Sequence, residues 1–314
     1  VLCLNITPYR IESILVSRLV LPLSDYQMTE ISVRTPDALL TQIEACFHQY
    51  KKIYPGLKIR LALAIHGQVN PTTGVSQRMP QAPWTGEIEI KYLLEEKLQT
   101  DILMDNDCIM LALALAEKWQ GINYHQDFCV INVDYGIGSS FVINQQIYRG
   151  NLFGSGQIGH TIIDPHGDRC ACGRYGCLET LASLSALKKK ARQLEPADPA
   201  RRTPSTQELI DRYHRGESAI CEQVMEGARA LGLSLYNFLN ILNINHIYLY
   251  GRSCGFGDAW LKTVCGQSGL NPFDRIDHVK TQATHIAPGI LSREQQIMGI
   301  GYLYVEKALD AMAG

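Results

Sequence analysis

Three bursts of β-branched and apolar residues, Val1–Thr7, Glu12–Val20 and Thr29–Val33, are separated by turn residues and predict consecutive strands. From Pro36 to about Tyr50 the period changes. Leu39, Leu40, Ile43, Cys46 and Phe47 recur at helical spacing behind a proline suited to a first turn. Lys58–Ile65 is a largely apolar run of strand length, Glu87–Leu98 an amphipathic helix, and Asp101–Met104 a short strand before a helix from Asp107 to Trp119. Strands at Asp127–Val133, Ser139–Asn144 and Gln146–Tyr148 then repeat the opening pattern. Helices are expected at Leu178–Ala191, Thr206–Arg215 and Glu217 to about Leu242. They are followed by a strand at His246–Gly251, a helix at Ala259–Val264, a strand at Ile276–Thr281 and a closing helix at Ser292–Ala313. The alternation predicts an α/β protein built twice on one plan, with a cleft between the halves. The proline-bearing segment Arg192–Ser205 is the expected mobile loop.

Length agrees with two cores rather than one. At 314 residues a single hydrophobic core stops growing. The expected division is residues 1–106, joined by the closing helix 292–314, and residues 107–291. Apolar residues at 46% and charged residues at 19% exclude a disordered chain. A net charge of −2 gives no overall basic field for gripping nucleic acid. Apolar runs such as Cys108–Ala116 are too short to span a bilayer, and no secretory signal pattern opens the chain, so a cytoplasmic protein is expected.

Seven of the ten cysteines are scattered; Cys170, Cys172 and Cys177 crowd into eight residues. With His160 they offer an imidazole and three thiolates within eighteen residues, the soft donor set that zinc selects. Four protein ligands leave no open position, so the metal would be structural. The alternative is three buried thiols beside an unrelated histidine. Glycines dominate this stretch, seven between Gly150 and Cys177, and too few apolar residues accompany them to order the loop unaided.

Gly156-Gln157-Ile158-Gly159-His160 followed by Cys170-Ala171-Cys172-Gly173-Arg174-Tyr175-Gly176-Cys177-Leu178-Glu179 resembles the signature of the ROK family of repressors, open reading frames and kinases. The resemblance extends through Asp105-Asn106-Asp107, Ala114–Glu117, the Gly136–Gly138 turn and Asn240–Gly251. It implies an actin-like, ribonuclease-H-like fold of two α/β domains with a sugar in the cleft. Asp107 matches the base that deprotonates a sugar hydroxyl in the family's kinases; alternatively it only caps the helix that follows. Gly67, Asn106, Gln157, His160 and Glu179 match sugar-binding positions, with His160 also bound to zinc. Glu179 could instead be a first-turn acid, and Gly67 a simple turn. Gln157 departs from the family's usual Glu, a change from an acceptor to a donor and acceptor.

Both phosphate loops also depart from the kinase pattern. Asp-x-Gly-Gly-Thr is replaced by Asn5-Ile6-Thr7-Pro8-Tyr9, where proline has no N–H to offer. Gly-Thr-Gly-x-Gly-Gly-Gly is replaced by Asp134-Tyr135-Gly136-Ile137-Gly138-Ser139-Ser140, whose carboxylate would repel polyphosphate. The resemblance therefore implies the effector-binding and oligomerisation body of a sugar-responsive repressor, a homodimer or homotetramer that binds a hexose-like sugar or sugar phosphate. His66-Gly67, Gly74 and Arg78-Met79-Pro80 resemble those repressors as well. ATP and magnesium are not expected. DNA would be reached only through an N-terminal helix-turn-helix absent from this chain, which starts without Met, and a sugar-transport protein is a candidate antagonist. The alternatives are an ATP-dependent hexose or N-acetylhexosamine kinase and a zinc-stabilised interaction protein with a dead pocket.

Overall fold

A hairpin starts the first sheet. Strand β1 (Leu2–Thr7) pairs antiparallel with β2 (Arg10–Leu15), and β2 with β3 (Gln27–Glu30). The structure, a computed structural model, describes residues 1–118, 127–194, 202–269 and 284–313. Helix α1 (Pro36–Ile53) begins where the Thr35 hydroxyl accepts from the Ala38 N–H, and it buries Leu39, Leu40, Ile43, Phe47 and Tyr50. Strand β4 (Leu61–Ile65) is apolar at every position and buried at every position, because it runs parallel between β1 and β7 (Ile102–Asn106). A hairpin of β5 (Gln68–Asn70) and β6 (Val75–Arg78) and helix α2 (Ile90–Leu98) lie between β4 and β7 in sequence, and helix α3 (Asp107–Lys118) leaves the end of β7.

The second half repeats the order. Strand β8 (Phe128–Val133) pairs antiparallel with β9 (Ile137–Ile143); the short β10 (Gln146–Tyr148) follows. Helices α4 (Leu178–Ala182), α5 (Leu184–Gln193), α6 (Thr206–His214) and α7 (Ser218–Leu242) lead to β11 (His246–Tyr250), which is parallel to β8. Helix α8 (Asp258–Ser268) and β12 (His285–Pro288) come next, and α9 (Arg293–Met298) and α10 (Tyr302–Ala313) close the chain. The orders β2-β1-β4-β7 and β9-β8-β11-β12 are the same, with the same polarities. This is the expected duplication.

Contacts divide the chain into residues 1–124, 145–155 and 290–314 as one unit, and 125–144 with 156–289 as the other. The boundary expected at residue 106 is therefore displaced. Helix α3 stays with the first unit because α9 and the turn Gly299–Gly301 pack on it; a Cβ at Gly299 would lie 2.1 Å from the Met110 carbonyl. Each unit has its own core, around Leu4, Leu39, Phe47 and Leu63 in the first and Ile131, Leu231, Leu235 and Phe256 in the second.

Several expected elements are shorter or divided. The strand at Glu12–Val20 stops at Leu15, because the chain turns back through Val20 with φ 57°. The helix expected over Leu178–Ala191 is broken at Ser183, which is extended and caps α5 by accepting from the Ala186 N–H. The closing helix is divided at Gly299–Gly301. The β5–β6 hairpin was not anticipated, although Asn70 Oδ1 accepts from both Thr72 and Thr73 N–H, the turn chemistry that Asn-Pro-Thr-Thr-Gly encodes. The expected strand Ile276–Thr281 lies outside the described residues, as do residues 195–201 of Arg192–Ser205.

The first unit holds a buried charge cluster around Glu12. Glu12 on β2 is 2% exposed and receives Arg293 as a two-pronged partner, with Tyr26 Oη and Asn5 Nδ2 each donating at 2.8 Å. Burial alone would raise the Glu12 carboxyl; Arg293, helped by Arg10 and Tyr26, outweighs it and holds the group below its ordinary range. Arg293→Met strands that carboxylate and is expected to lower the unfolding free energy by about 3–5 kcal/mol in urea titrations. A depressed carboxyl stabilises above its unfolded pKa and loses that contribution as pH falls through the folded one. The deficit of the variant relative to the wild type is therefore expected to be full at pH 7 and to shrink below about pH 4.

Candidate functional site

The ends of β4 and β7 lie side by side, with Ile65 paired to Asn106. The residues just beyond each strand carry the chemistry. Asn106 caps α3: its Oδ1 accepts from the Cys108 N–H at 2.7 Å, and its Nδ2 donates to the Gly67 carbonyl. The capping role weighed for Asp107 thus belongs to Asn106, which keeps one amide hydrogen for a ligand. Asp107 instead turns its carboxylate to His66, with Nδ1 and Oδ2 2.8 Å apart. Gly67 has φ +104°, and a Cβ there would lie 2.2 Å from the Arg78 carbonyl, so no other residue fits this turn. Behind them Asp105 is buried and receives Arg149 Nε at 2.7 Å. Burial raises its carboxyl, opposed by Arg149.

The turn Asn5–Tyr9, where the family's kinases carry their first phosphate loop, has its own internal partners. Thr7 Oγ1 accepts from the N–H groups of Tyr9 and Arg10 at 3.3 and 3.1 Å, and Pro8 between them has none. Tyr9 Oη donates to the Gln81 carbonyl at 2.7 Å.

The second loop, between β8 and β9, is closed in the same way. The Tyr135 N–H donates to Asp134 Oδ1 at 2.8 Å, the Ile137 N–H to Glu179 Oε2 at 3.0 Å, and the Ser139 N–H to the Gly156 carbonyl at 2.9 Å. Glu179, in the first turn of α4, therefore braces the loop with one oxygen. Arg252, at the end of β11, pairs with Asp134 at 2.5 Å and also lies 4.4 Å from the centre of the Tyr135 ring. The expectation that a bare Asp134 repels polyphosphate is corrected: Arg252 neutralises it. Burial would raise the Tyr135 phenol, but Lys188 and Arg252 outweigh it and hold it below its ordinary value.

His160, Cys170, Cys172 and Cys177 converge in the second unit, their ligand atoms all within 4.8 Å of one another. His160 Nδ1 lies 3.5 Å from Cys170 Sγ, and Cys172 Sγ lies 3.6 Å from Cys177 Sγ. Tetrahedral bonds of about 2.0–2.3 Å put ligand atoms about 3.3–3.8 Å apart, so the donor set fits zinc. The loop folds to this shape because Gly176, at φ +67°, passes where a Cβ would collide with the Asp164 carbonyl. Gln157, three residues before His160, is exposed.

A model of the ROK family matches residues 2–265. The chain belongs to the ROK family. YphH of Escherichia coli K12, an uncharacterized protein, is 59% identical over 315 residues, covering 98% of this chain and 78% of YphH. NagC, a DNA-binding transcriptional dual regulator of the same organism, is 28% identical over 235 residues, covering 72% of this chain and 56% of NagC. The chain thus spans little more than half of NagC. A ROK family glucokinase from Streptomyces griseus, solved with glucose and AMPPNP, superimposes with a TM-score of 0.80 at 18% identity, over 97% of this chain and 99% of that one. At that identity the likeness shows the actin-like fold alone. Among the described residues no helix is long and apolar enough to cross a membrane.

The candidate sugar residues fall into two groups. Gly67, Asn106 and Asp107 adjoin in the first unit; Gln157, His160 and Glu179 belong to the second. Sequence reasoning missed His66, Arg149 and Arg252 as site residues. Of these only His66 carried a signal, a polar residue straight after an apolar strand and before a singled-out glycine. Asn106→Ala removes the α3 cap and the tie to Gly67, and is expected to lower stability by about 1–2 kcal/mol in urea unfolding. Asn106→Asp, which keeps the cap acceptor, should recover part of that loss.

Proposed function

We propose that this chain is the sugar-binding and oligomerisation body of a ROK-family transcriptional regulator of the NagC type. The observation that carries the reading is the use of the loop N–H groups. At both positions where the family's kinases cradle phosphate, the N–H groups of Tyr9, Arg10, Tyr135, Ile137 and Ser139 already have partners within the chain: Thr7, Asp134, Glu179 and Gly156. Phosphoryl transfer depends almost wholly on positioning and charge stabilisation around the phosphate, so loops in which these N–H groups are already engaged support a chain that does not phosphorylate. The groups suited to a hydroxyl-rich ligand persist: Asp107, one amide hydrogen of Asn106, and Glu179, Gln157 and the His160 ring.

His160, Cys170, Cys172 and Cys177 hold one zinc ion in this reading. Zinc would supply a structural crosslink. In the metal-free chain, burial and the neighbouring thiols push the Cys177 thiol up to about 12, so metal uptake releases protons. With Nδ1 toward the metal, the His160 ring turns Nε2 to a sugar hydroxyl. Two copies of the body associate, as a repressor reading two half-sites requires, and DNA is reached through a helix-turn-helix outside this chain. The kinase reading keeps one point in its favour, since the Asp107 carboxylate that would act as base is in place.

Coupled ADP-release assays with Mg-ATP across glucose, N-acetylglucosamine, N-acetylmannosamine, allose and fructose are expected to show no turnover above background. Turnover in the ordinary enzyme range, about 1–1,000 per second, on any of them would put the kinase first. Elemental analysis of protein purified without chelator should find one zinc per chain. Cys172→Ser should lower that content and the thermal midpoint together.

A further inference from the structure

We propose that His66 is a positioning residue for ligand recognition: it fixes one oxygen of Asp107 so that the other is presented to a single sugar hydroxyl. The inference rests on the sugar-binding reading above and adds His66 to the residues named there.

The geometry is over-determined from both strands. His66 is the first residue past β4, a strand buried at every position, and Asp107 the first past β7. The parallel register pairs Ile65 with Asn106, which brings His66 and Asp107 to the same level. Gly67 holds the turn beyond His66 in the left-handed region, against the Arg78 carbonyl and Pro80, and Asn106 Nδ2 ties the Gly67 carbonyl to the other strand. The imidazole meets Asp107 Oδ2 at 2.8 Å. Their side chains are 19% and 10% exposed, so the bond is largely sheltered from competing water.

An ionised carboxylate only accepts, so the proton of this bond lies on His66 Nδ1. With Oδ2 engaged, Asp107 offers Oδ1 along one direction, where a hydroxyl can donate. A carboxylate held in advance loses less rotamer freedom on binding, and it favours the sugar whose hydroxyl lies on that line over an epimer whose hydroxyl does not. The ligand class is a sugar with an unsubstituted hydroxyl at the Asp107 position. No bond is made or broken in this role.

Two measurements test it on the zinc-loaded chain. In the ligand-free protein, long-range nitrogen–proton spectra of ¹⁵N-histidine should show His66 protonated on Nδ1, and Asp107→Ala should shift it toward the common Nε2–H form. Calorimetry then uses D-glucose, N-acetylglucosamine, D-xylose and D-allose and, for the sugar that binds, its monodeoxy analogues. His66→Leu is expected to weaken binding about ten- to a hundredfold, the worth of one charge-assisted hydrogen bond. His66→Asn, whose amide donates from nearly the same place, should restore most of the affinity. For the deoxy analogue lacking the Asp107-bound hydroxyl, His66→Leu should have little further effect. An Nε2–H tautomer in the wild type, unchanged affinity in His66→Leu, or equal losses in His66→Leu and His66→Asn overturns the positioning role and leaves the sugar-binding reading intact. A wild-type chain that binds none of the sugars overturns that reading, and this inference with it.

Discussion

The register of β4 against β7 is the constraint on which the candidate site of the first unit depends. Parallel strands present equivalent residues at one level, and Ile65 lies opposite Asn106. His66 and Gly67 sit one and two residues past this pair on one strand, and Asp107 one residue past it on the other. A slip of one residue would turn each side chain to the opposite face and undo the His66–Asp107 and Asn106–Gly67 bonds together. Apolar burial makes such a slip costly, since β4 is buried at all five positions.

The two phosphate-loop equivalents show how one fold can carry different functions without changing its strand order. A loop cradles an anion when its N–H groups have no partner of their own. Here a threonine hydroxyl, an aspartate, a glutamate and a glycine carbonyl take that place. Arg252 completes the second loop by neutralising Asp134 and lying against Tyr135, so the carboxylate is a structural partner rather than an exposed charge. Both loops are thereby ordered by their own side chains.

Polar crosslinks do similar work elsewhere in each unit. Glu12 and Arg293, 281 residues apart in sequence, tie the first hairpin to the start of α9 through a pair that excludes water from the carboxylate. In the second unit the His160–Cys177 stretch has few apolar side chains to bury, and its convergent donors are what a metal would join. Buried charge pairs and metal sites restrict the chain to one arrangement, because any other leaves charges or thiols unmatched.

Local order was legible in the sequence. Apolar alternation and helical spacing located most strands and helices, and the repetition of strand, turn and strand announced two similar halves. The cysteine spacing disclosed a four-donor cluster, since ligands close in sequence on a glycine-rich loop converge by local folding alone. The Asp-Asn-Asp run marked a site, but which residue capped α3 depended on where each side chain turned. Contacts between distant segments were decided only in three dimensions. His66 meets Asp107 across 41 residues, Arg252 meets Asp134 across 118, and α3 joins the closing helices rather than the unit that follows it in sequence. Periodicity reports which face of an element is buried; it does not report which distant element covers that face, and it is there that a polar side chain finds its partner.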